Sequence, residues 1–195
     1  MSQVTGHKLH INKGFTIVET VVALGVFAFA VTSIIGVFLA IIKIDRKGRA
    51  IRTVEQNARF LAEFIEREGR NGLIDYASYG CPANCGQIPI WPSYVNELRL
   101  INAVGESERI YLSGTTVRLE KGGLDTPLTG TDVSVSRLNF YINPKVDPFL
   151  FAAIDKQPET AFNFTLQSNI SGVRPEDRAV ATIQNTFSIR HYPRP

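Results

Sequence analysis

The stretch Lys13-Gly14-Phe15-Thr16-Ile17-Val18-Glu19 leads directly into an uncharged, apolar run from Val21 to Ile42. At a helical rise of about 1.5 Å per residue this run covers roughly 33 Å, enough to cross the hydrocarbon core of a bilayer. Glu19 stands at the start of the run, and a carboxylate facing lipid costs on the order of a few kcal/mol unless a partner compensates it. The pattern therefore predicts a membrane-spanning helix whose acidic residue needs a partner.

The segment from Gly14 to Glu19, with Lys13 before it and the apolar run after it, resembles the processing site of type IV prepilins and pseudopilins. The resemblance implies that prepilin peptidase cleaves between Gly14 and Phe15 and that the new Phe15 amine is methylated. It also implies a partner for Glu19, namely the N-terminal amine of a neighbouring subunit in a growing filament. A buried ammonium and carboxylate are costly apart and tolerable together, so such a pair would fix the axial register of subunits.

Two other interpretations of the same stretch compete. In a secretory signal peptide the apolar core precedes the cleavage site and is only about 7 to 15 residues long, whereas here a longer run follows Gly14. The second alternative is a single-pass anchor in which Glu19 is incidental. This anchor, carrying an extracytoplasmic binding domain that never polymerises, remains the alternative function.

Basic residues lie on both sides of the apolar run. Lys8 and Lys13 precede it, and five follow it: Lys43, Arg46, Lys47, Arg49 and Arg52. The positive-inside rule favours a cytoplasmic location for the second group. The resemblance implies the opposite orientation, in which the C-terminal part lies outside the cytoplasmic membrane and later in a pilus or pseudopilus, at the cell surface or in the periplasm. We expect the basic group near Arg46 to contact lipid headgroups.

Composition and patterning divide the chain into four segments. The 195 residues are 44% apolar and 20% charged, which is typical of a folded domain combined with one apolar segment. The segments are a cleaved hydrophilic leader (1–14), an apolar transmembrane or filament-core half-helix (15–44), an amphipathic half-helix (45–72) and a β-rich head (73–195). The formal net charge is only +3, and no basic patch interleaved with aromatic residues is present, so direct nucleic-acid binding is not predicted.

The second half of the helix is expected to present one apolar face to the head. Residues at spacings of three, four and seven define that face, which Phe60 and Phe64 widen: Ile44, Ile51, Val54, Ala58, Leu61 and Ile65. No proline interrupts the helix, and Asn71-Gly72 can form its C-cap. The expected helix is therefore about 55 residues, or roughly 80 Å, long.

Both cysteines, Cys81 and Cys85, lie in a section from 73 to 93 that is expected to be irregular. A location outside the cytoplasm permits a disulfide between them, and the intervening Pro82-Ala83-Asn84 can form a tight turn. Two free thiols and half of a metal site are the alternatives. Metal is disfavoured because a tetrahedral site needs more ligands and His191 is the only histidine after the leader. We therefore predict a disulfide that mainly rigidifies its loop.

Alternating apolar residues from Tyr94 onward predict an antiparallel sheet of about five to seven strands. Ser113-Gly114 is expected to form a hairpin turn, and a change of parity predicts a bulge near Ser136 or Arg137. Loops are expected at 122–130, 143–148, 155–159 and 171–177. The predicted fold class is α+β, with a long N-terminal helix packed on an antiparallel sheet, as in pilins.

The residue inventory does not favour an enzyme. His191 is the only histidine available as a catalytic base after the leader, and it lies next to the C-terminal Tyr192-Pro193. Two carboxylate pairs, Asp125 with Asp132 and Asp147 with Asp155, lie in turn-like segments, a pattern typical of solvated turn residues. Calcium binding by these loop carboxylates is an open alternative. We predict no catalytic residue, no metal and no cofactor.

The expected function is that of a structural subunit, processed by prepilin peptidase and assembled with other pilin or pseudopilin subunits from the inner membrane into a filament or its tip complex. Patterns at Glu55–Arg70, Leu128–Phe140 and Thr182–Arg190 are similar to W-type minor pilins and to the J-type pseudopilins of type II secretion. The resemblance outside residues 13 to 45 is one of pattern only.

Overall fold

A long helix, α1, runs from Ile17 to Asn71 and contains 55 residues. The computed structural model describes residues 14–79, 93–148, 156–169 and 178–190. The chain leaves α1 at Gly72, whose N–H donates to the carbonyl of Glu68 at 2.8 Å. The predicted length of the helix and its predicted end at Asn71-Gly72 are both confirmed.

The environment of α1 changes near Asp45. Residues up to Asp45 belong to one compact unit, and residues from Arg46 onward belong to a second. In the described part of the first unit, almost all apolar side chains are exposed. In the second unit one face of the helix is buried, and its members follow one another at spacings of three and four: Ala50, Val54, Ala58, Leu61, Ile65 and Gly69.

The predicted apolar face is correct in its central part and wrong at its edges. Ile44 is 72% exposed and belongs to the first unit. Ile51 is 39% exposed because the smaller Ala50 beside it occupies the buried position. Phe60 is 51% exposed and contacts the ring of Phe64 at a centroid distance of 6.1 Å.

Eight strands follow α1 in the described part of the chain. Their bounds are Leu73–Ile74 (β1), Glu97–Ile101 (β2), Ser107–Ser113 (β3), Thr116–Lys121 (β4), Leu124–Pro127 (β5), Val133–Asn143 (β6), Glu159–Ser168 (β7) and Val180–Ser188 (β8). A short 3₁₀ helix, Tyr76–Ser78, follows β1. The strands β1 and β5 were missed, because two or four residues are too few to show an alternating pattern.

The predicted α+β class, a long N-terminal helix with antiparallel strands, is confirmed, although the strands form two sheets where one was expected. The first has the order β1-β2-β3-β4-β5 and the second the order β6-β7-β8. The hairpin predicted at Ser113-Gly114 is confirmed, with its turn one residue later at Gly114-Thr115. The bulge is confirmed as a register shift between Val135 and Arg137. Only isolated main-chain contacts join β6 to the first sheet, for example Val95 with Phe140 and Val135 with Thr115.

Phenylalanine rings fill the core on the second sheet. Phe162 lies 6.0 Å from Phe164 in a stacked pair, and 6.5 and 6.2 Å from Phe140 and Phe187 in tilted pairs. All four side chains are fully buried. Rings in such offset and tilted contacts stabilise a core beyond the area they bury.

Gly69 allows the closest approach between α1 and the second sheet. A Cβ at this position would overlap the ring of Phe187 in β8. The N–H of Arg190, just after β8, donates to the carbonyl of Arg70 at 3.0 Å and fixes the end of the helix against the end of the strand. A larger residue at position 69 would therefore push the strand from the helix.

We expect Gly69→Ala to lower the free energy of unfolding by about 1 to 2 kcal/mol, because overpacking costs more than the gain in helix propensity. Gly48→Ala is the matched control, since a Cβ there meets no atom closer than 3.9 Å. It should raise stability by up to about 1 kcal/mol. Urea unfolding of the detergent-solubilised protein, followed by circular dichroism, measures both, and equal stabilisation by the two variants would contradict the packing argument.

Candidate functional site

The predicted processing residues directly precede α1, and the predicted assembly residue Glu19 lies in its first turn. Gly14 and Phe15 precede the helix, and Phe15 is 81% exposed. The N–H of Glu19 donates to Oγ1 of Thr16 at 3.2 Å. Threonine followed three residues later by glutamate is the capping-box pattern, in which both side chains can satisfy the free N–H groups at a helix start. The sequence contained this signal, and the sequence interpretation missed it.

Glu19 also has a local role at the start of the helix. A carboxylate in the first turn is stabilised by the positive end of the helix dipole. Within residues 14–79, 93–148, 156–169 and 178–190, no hydrogen bond or ion pair engages this carboxylate. Its acceptor oxygens are free for a group outside the described chain.

The apolar part of α1 satisfies its own hydroxyl groups. Thr32 Oγ1 donates to the carbonyls of Ala28 and Phe29 at 3.0 and 2.9 Å, and Ser33 Oγ donates to the carbonyl of Phe29 at 2.8 Å. Back-bonding of this kind hides polar atoms where no water is available. The helix is long and apolar enough to cross a membrane, and none of its most apolar window is buried within the protein. It fits a single-pass membrane anchor.

The head carries a second candidate site, which the sequence interpretation did not predict. Six charged side chains share the face of the first sheet opposite the core, as the strand register shows: Glu97, Arg99, Arg109, Arg118, Glu120 and Asp125. Glu97 contacts Arg99 at 2.6 Å and Arg109 at 2.8 Å. Arg118 contacts Asp125 at 2.8 Å. We call this set the charged face.

A cavity of about 350 Å³ opens beside the charged face. Its lining includes Arg99, Arg109 and Glu120, together with Asp75 and Glu108. The guanidinium of Arg109 also lies over the ring of Tyr111, 4.0 Å from the centroid. A ligand that bound its charged groups would have to displace existing ion pairs, so the cavity favours a polar ligand that can bridge both signs of charge.

Glu108 is the most buried charged residue of the cavity lining, with only 3% of its surface exposed, and Asp75 is buried as well. The Glu108 carboxylate accepts a hydrogen bond from Nδ2 of Asn102 at 3.0 Å and pairs with the Lys121 ammonium. The hydrogen bond between the Lys121 ammonium and the Glu108 carboxylate raises the pKa of Lys121 above its usual range. A buried carboxylate is costly unless it is paired, and these two neighbours supply its partners.

Two buried tyrosines attach the segment after α1 to the strands. Tyr76 donates to the carbonyl of Pro144 at 2.9 Å, and Tyr79 donates to the carbonyl of Glu97 at 3.2 Å. Tyr79 also accepts from the N–H of Arg99 at 2.8 Å. Burial raises the pKa of both phenols well above 10, so both stay neutral.

The remaining predicted residues stay apart from these sites. Cys81 and Cys85, and hence their disulfide, lie outside the described residues, as do His191 and Asp155. Asp125 is engaged by Arg118. In the described segments no group of three or more His, Cys, Asp or Glu side chains is placed to hold a metal ion.

A scan against models of protein families finds no match to this chain, and searches of curated proteins and of solved structures find no similar protein. Its function must be inferred from its own residues.

Tyr79→Phe should lower the free energy of unfolding by about 1 kcal/mol near neutral pH, because the N–H of Arg99 loses its acceptor. A raised pKa means that the unfolded chain ionises first, so Tyr79 adds stability below about pH 10 and loses that contribution as the pH rises further. The variant should therefore lose less stability than the wild type above about pH 10. Urea unfolding across this pH range tests both statements, and parallel pH profiles would refute the assignment.

Proposed function

We propose that this chain is a structural subunit of the pilin and pseudopilin class, anchored in the cytoplasmic membrane and then assembled into a type IV pilus or a type II secretion-like pseudopilus. Prepilin peptidase cleaves it after Gly14, and the methylated Phe15 becomes its N-terminus. The head lies outside the cytoplasmic membrane, and later in the filament or its tip complex. Its work is mechanical and adhesive rather than catalytic.

The free carboxylate of Glu19 carries this proposal. It lies in the first turn of a helix whose apolar side chains are exposed, and no described residue engages it. The hydroxyls of Thr32 and Ser33, further along the helix, are satisfied by the helix itself, whereas the carboxylate of Glu19 is not. A cationic amine from a second subunit would supply the missing partner, and the pair would set the axial position of one helix against the next.

The exposed apolar half of α1 supports the same conclusion. Exposed apolar surface on this scale needs either lipid or other apolar helices around it. Subunits that contact one another head to tail through such helices need not close into a ring, so they generate an open helical filament. The same surface thus serves the membrane before assembly and the filament core afterwards.

One observation favours the alternative of an anchored binding domain that never polymerises. The cavity beside the charged face contains paired charges of both signs and could hold a polar ligand. The start of the extracted protein separates the two functions. An N-terminus at methylated Phe15 supports the subunit, and an N-terminus at Met1 or Ser2 supports the anchor.

Gly14→Val should block processing, because a branched side chain at the cleavage position keeps the peptidase from the following bond. Gly36→Ala is the matched control, since Gly36 has open space around it and lies far from the bond. Intact mass spectrometry of the membrane-extracted proteins should show residues 1–14 retained only in Gly14→Val. A mature-length product from Gly14→Val would argue against the cleavage site.

Substitutions at Glu19 and Thr16 separate helix capping from assembly. Glu19→Gln keeps a side chain that can complete the capping box but removes the charge. Thr16→Val keeps the charge and removes the cap, at a cost of about 1 kcal/mol in helix stability. If Glu19 pairs with an amine, Glu19→Gln and Glu19→Ala should both be processed but excluded from filaments.

Thr16→Val should still enter filaments. Immunoblots of sheared filaments against whole-cell protein measure incorporation of each variant. Normal incorporation of Glu19→Gln, together with exclusion of Thr16→Val from filaments, would rule out a role of Glu19 in setting subunit register. That outcome would assign Glu19 to the helix cap alone.

A further inference from the structure

The second sheet ends in β8, and in the described structure no strand pairs with the outer side of β8. The strand is nine residues long and contains neither a charged residue nor a proline. Natural proteins protect long edge strands with such residues, because unpaired N–H and C=O groups recruit other strands. β8 lacks that protection.

The other sheet edges are protected. β5 has only four residues, among them Asp125 and a terminal Pro127, and β1 has only two. The outer side of β6 is engaged by main-chain contacts of Val95 and Thr115. Of the edges described, β8 alone offers a long open row of main-chain groups.

The pairing of β8 with β7 shows which groups point outward. The N–H of Ser168 donates to Ala179, and the N–H of Ile189 donates to Pro158, so residues of that parity bond inward. The main-chain groups of Val180, Thr182, Gln184 and Thr186 therefore point away from β7.

One end of this row is closed by a side chain. Thr186 donates its N–H to Oδ1 of Asn185 at 2.8 Å, and Nδ2 of Asn185 donates in turn to Glu66 of α1. The open part is the segment Val180–Gln184, which we call the open edge.

A positive charge stands beside the other end of the open edge. Arg178 is exposed, two residues before β8, and no described residue forms an ion pair with it. Ala181 and Ile183 are half-buried on the inner face of the edge, and Thr182 is exposed on the outer face. An added antiparallel strand would end near Arg178, with apolar residues on the inner face and polar residues on the outer face.

We propose that the open edge binds an extended segment of another protein by antiparallel strand addition, with an acidic residue at the C-terminal end of that segment contacting Arg178. A second copy of this chain fits less well, because β8 contains no acidic residue to place beside Arg178. The acidic Glu66 of α1, which contacts β8 through Asn185, is not available for this purpose because Arg70 and Asn185 already engage it. The inference does not depend on the proposed function, since it concerns the head alone.

The test uses the full chain in detergent micelles and a fluorescent peptide of alternating valine and threonine that ends in glutamate. Binding is followed by anisotropy, with micelles alone as the blank. Gln184→Pro removes one outward N–H, a change that edge strands tolerate, and Gln184→Val is the matched control that keeps it. The same peptide with alternate main-chain nitrogens methylated tests the main-chain contacts without changing the protein.

The wild type and Gln184→Val should bind the peptide saturably. Gln184→Pro, and the methylated peptide on the wild type, should each bind about tenfold more weakly or not at all, as expected for the loss of one or more main-chain hydrogen bonds. Arg178→Glu should weaken binding of the peptide that ends in glutamate and strengthen binding of one that ends in lysine.

Equal affinity for the methylated and unmethylated peptides would overturn the proposal, even if Gln184→Pro failed to fold. Absence of binding to the wild type would overturn it as well. Light scattering gives the remaining outcome: if the wild type forms dimers that Gln184→Pro abolishes, and no peptide binds, the occupant is a second copy and the proposal is wrong.

Discussion

The head depends on the packing of one face of α1 against strands from two sheets. The residues of that face are small or medium in size, and Gly69 lets the ring of Phe187 lie directly on the helix backbone. The buried residues of this face belong to one hydrophobic cluster together with buried residues of both sheets, such as Leu100 and Phe162. Interiors are close-packed, and a volume change on this face is therefore felt by both sheets.

The sequence predicted the elements with long, strong periodicity. The full length of α1 and its end at Asn71-Gly72 followed from an unbroken helical pattern, and the bulge near Arg137 followed from a change of parity. The division into two sheets could not be read in this way. Alternation shows which residues of a strand are buried, but it does not show which strands are neighbours.

The candidate sites, like the elements of the fold, differ in how far the sequence alone predicts them. Glu19 stood out because a charge beside a long apolar run is costly, a rule that needs only the order of residues. The charged face was hidden, because its members come from four strands and acquire meaning only when Glu97 and Arg109 are brought together by the register. The capping role of Thr16 belongs with Glu19, because threonine three residues before glutamate is a local pattern that needs only the order of residues.

The charged face has a consequence for crowded surroundings. Its three cations and three anions are matched across neighbouring strands. Opposite charges a few ångströms apart cancel at a distance, well inside the screening length of about 8 Å at physiological ionic strength. This side of the head thus projects almost no net field, so a neighbouring molecule can approach it without long-range attraction or repulsion, and changes in salt should alter that approach little.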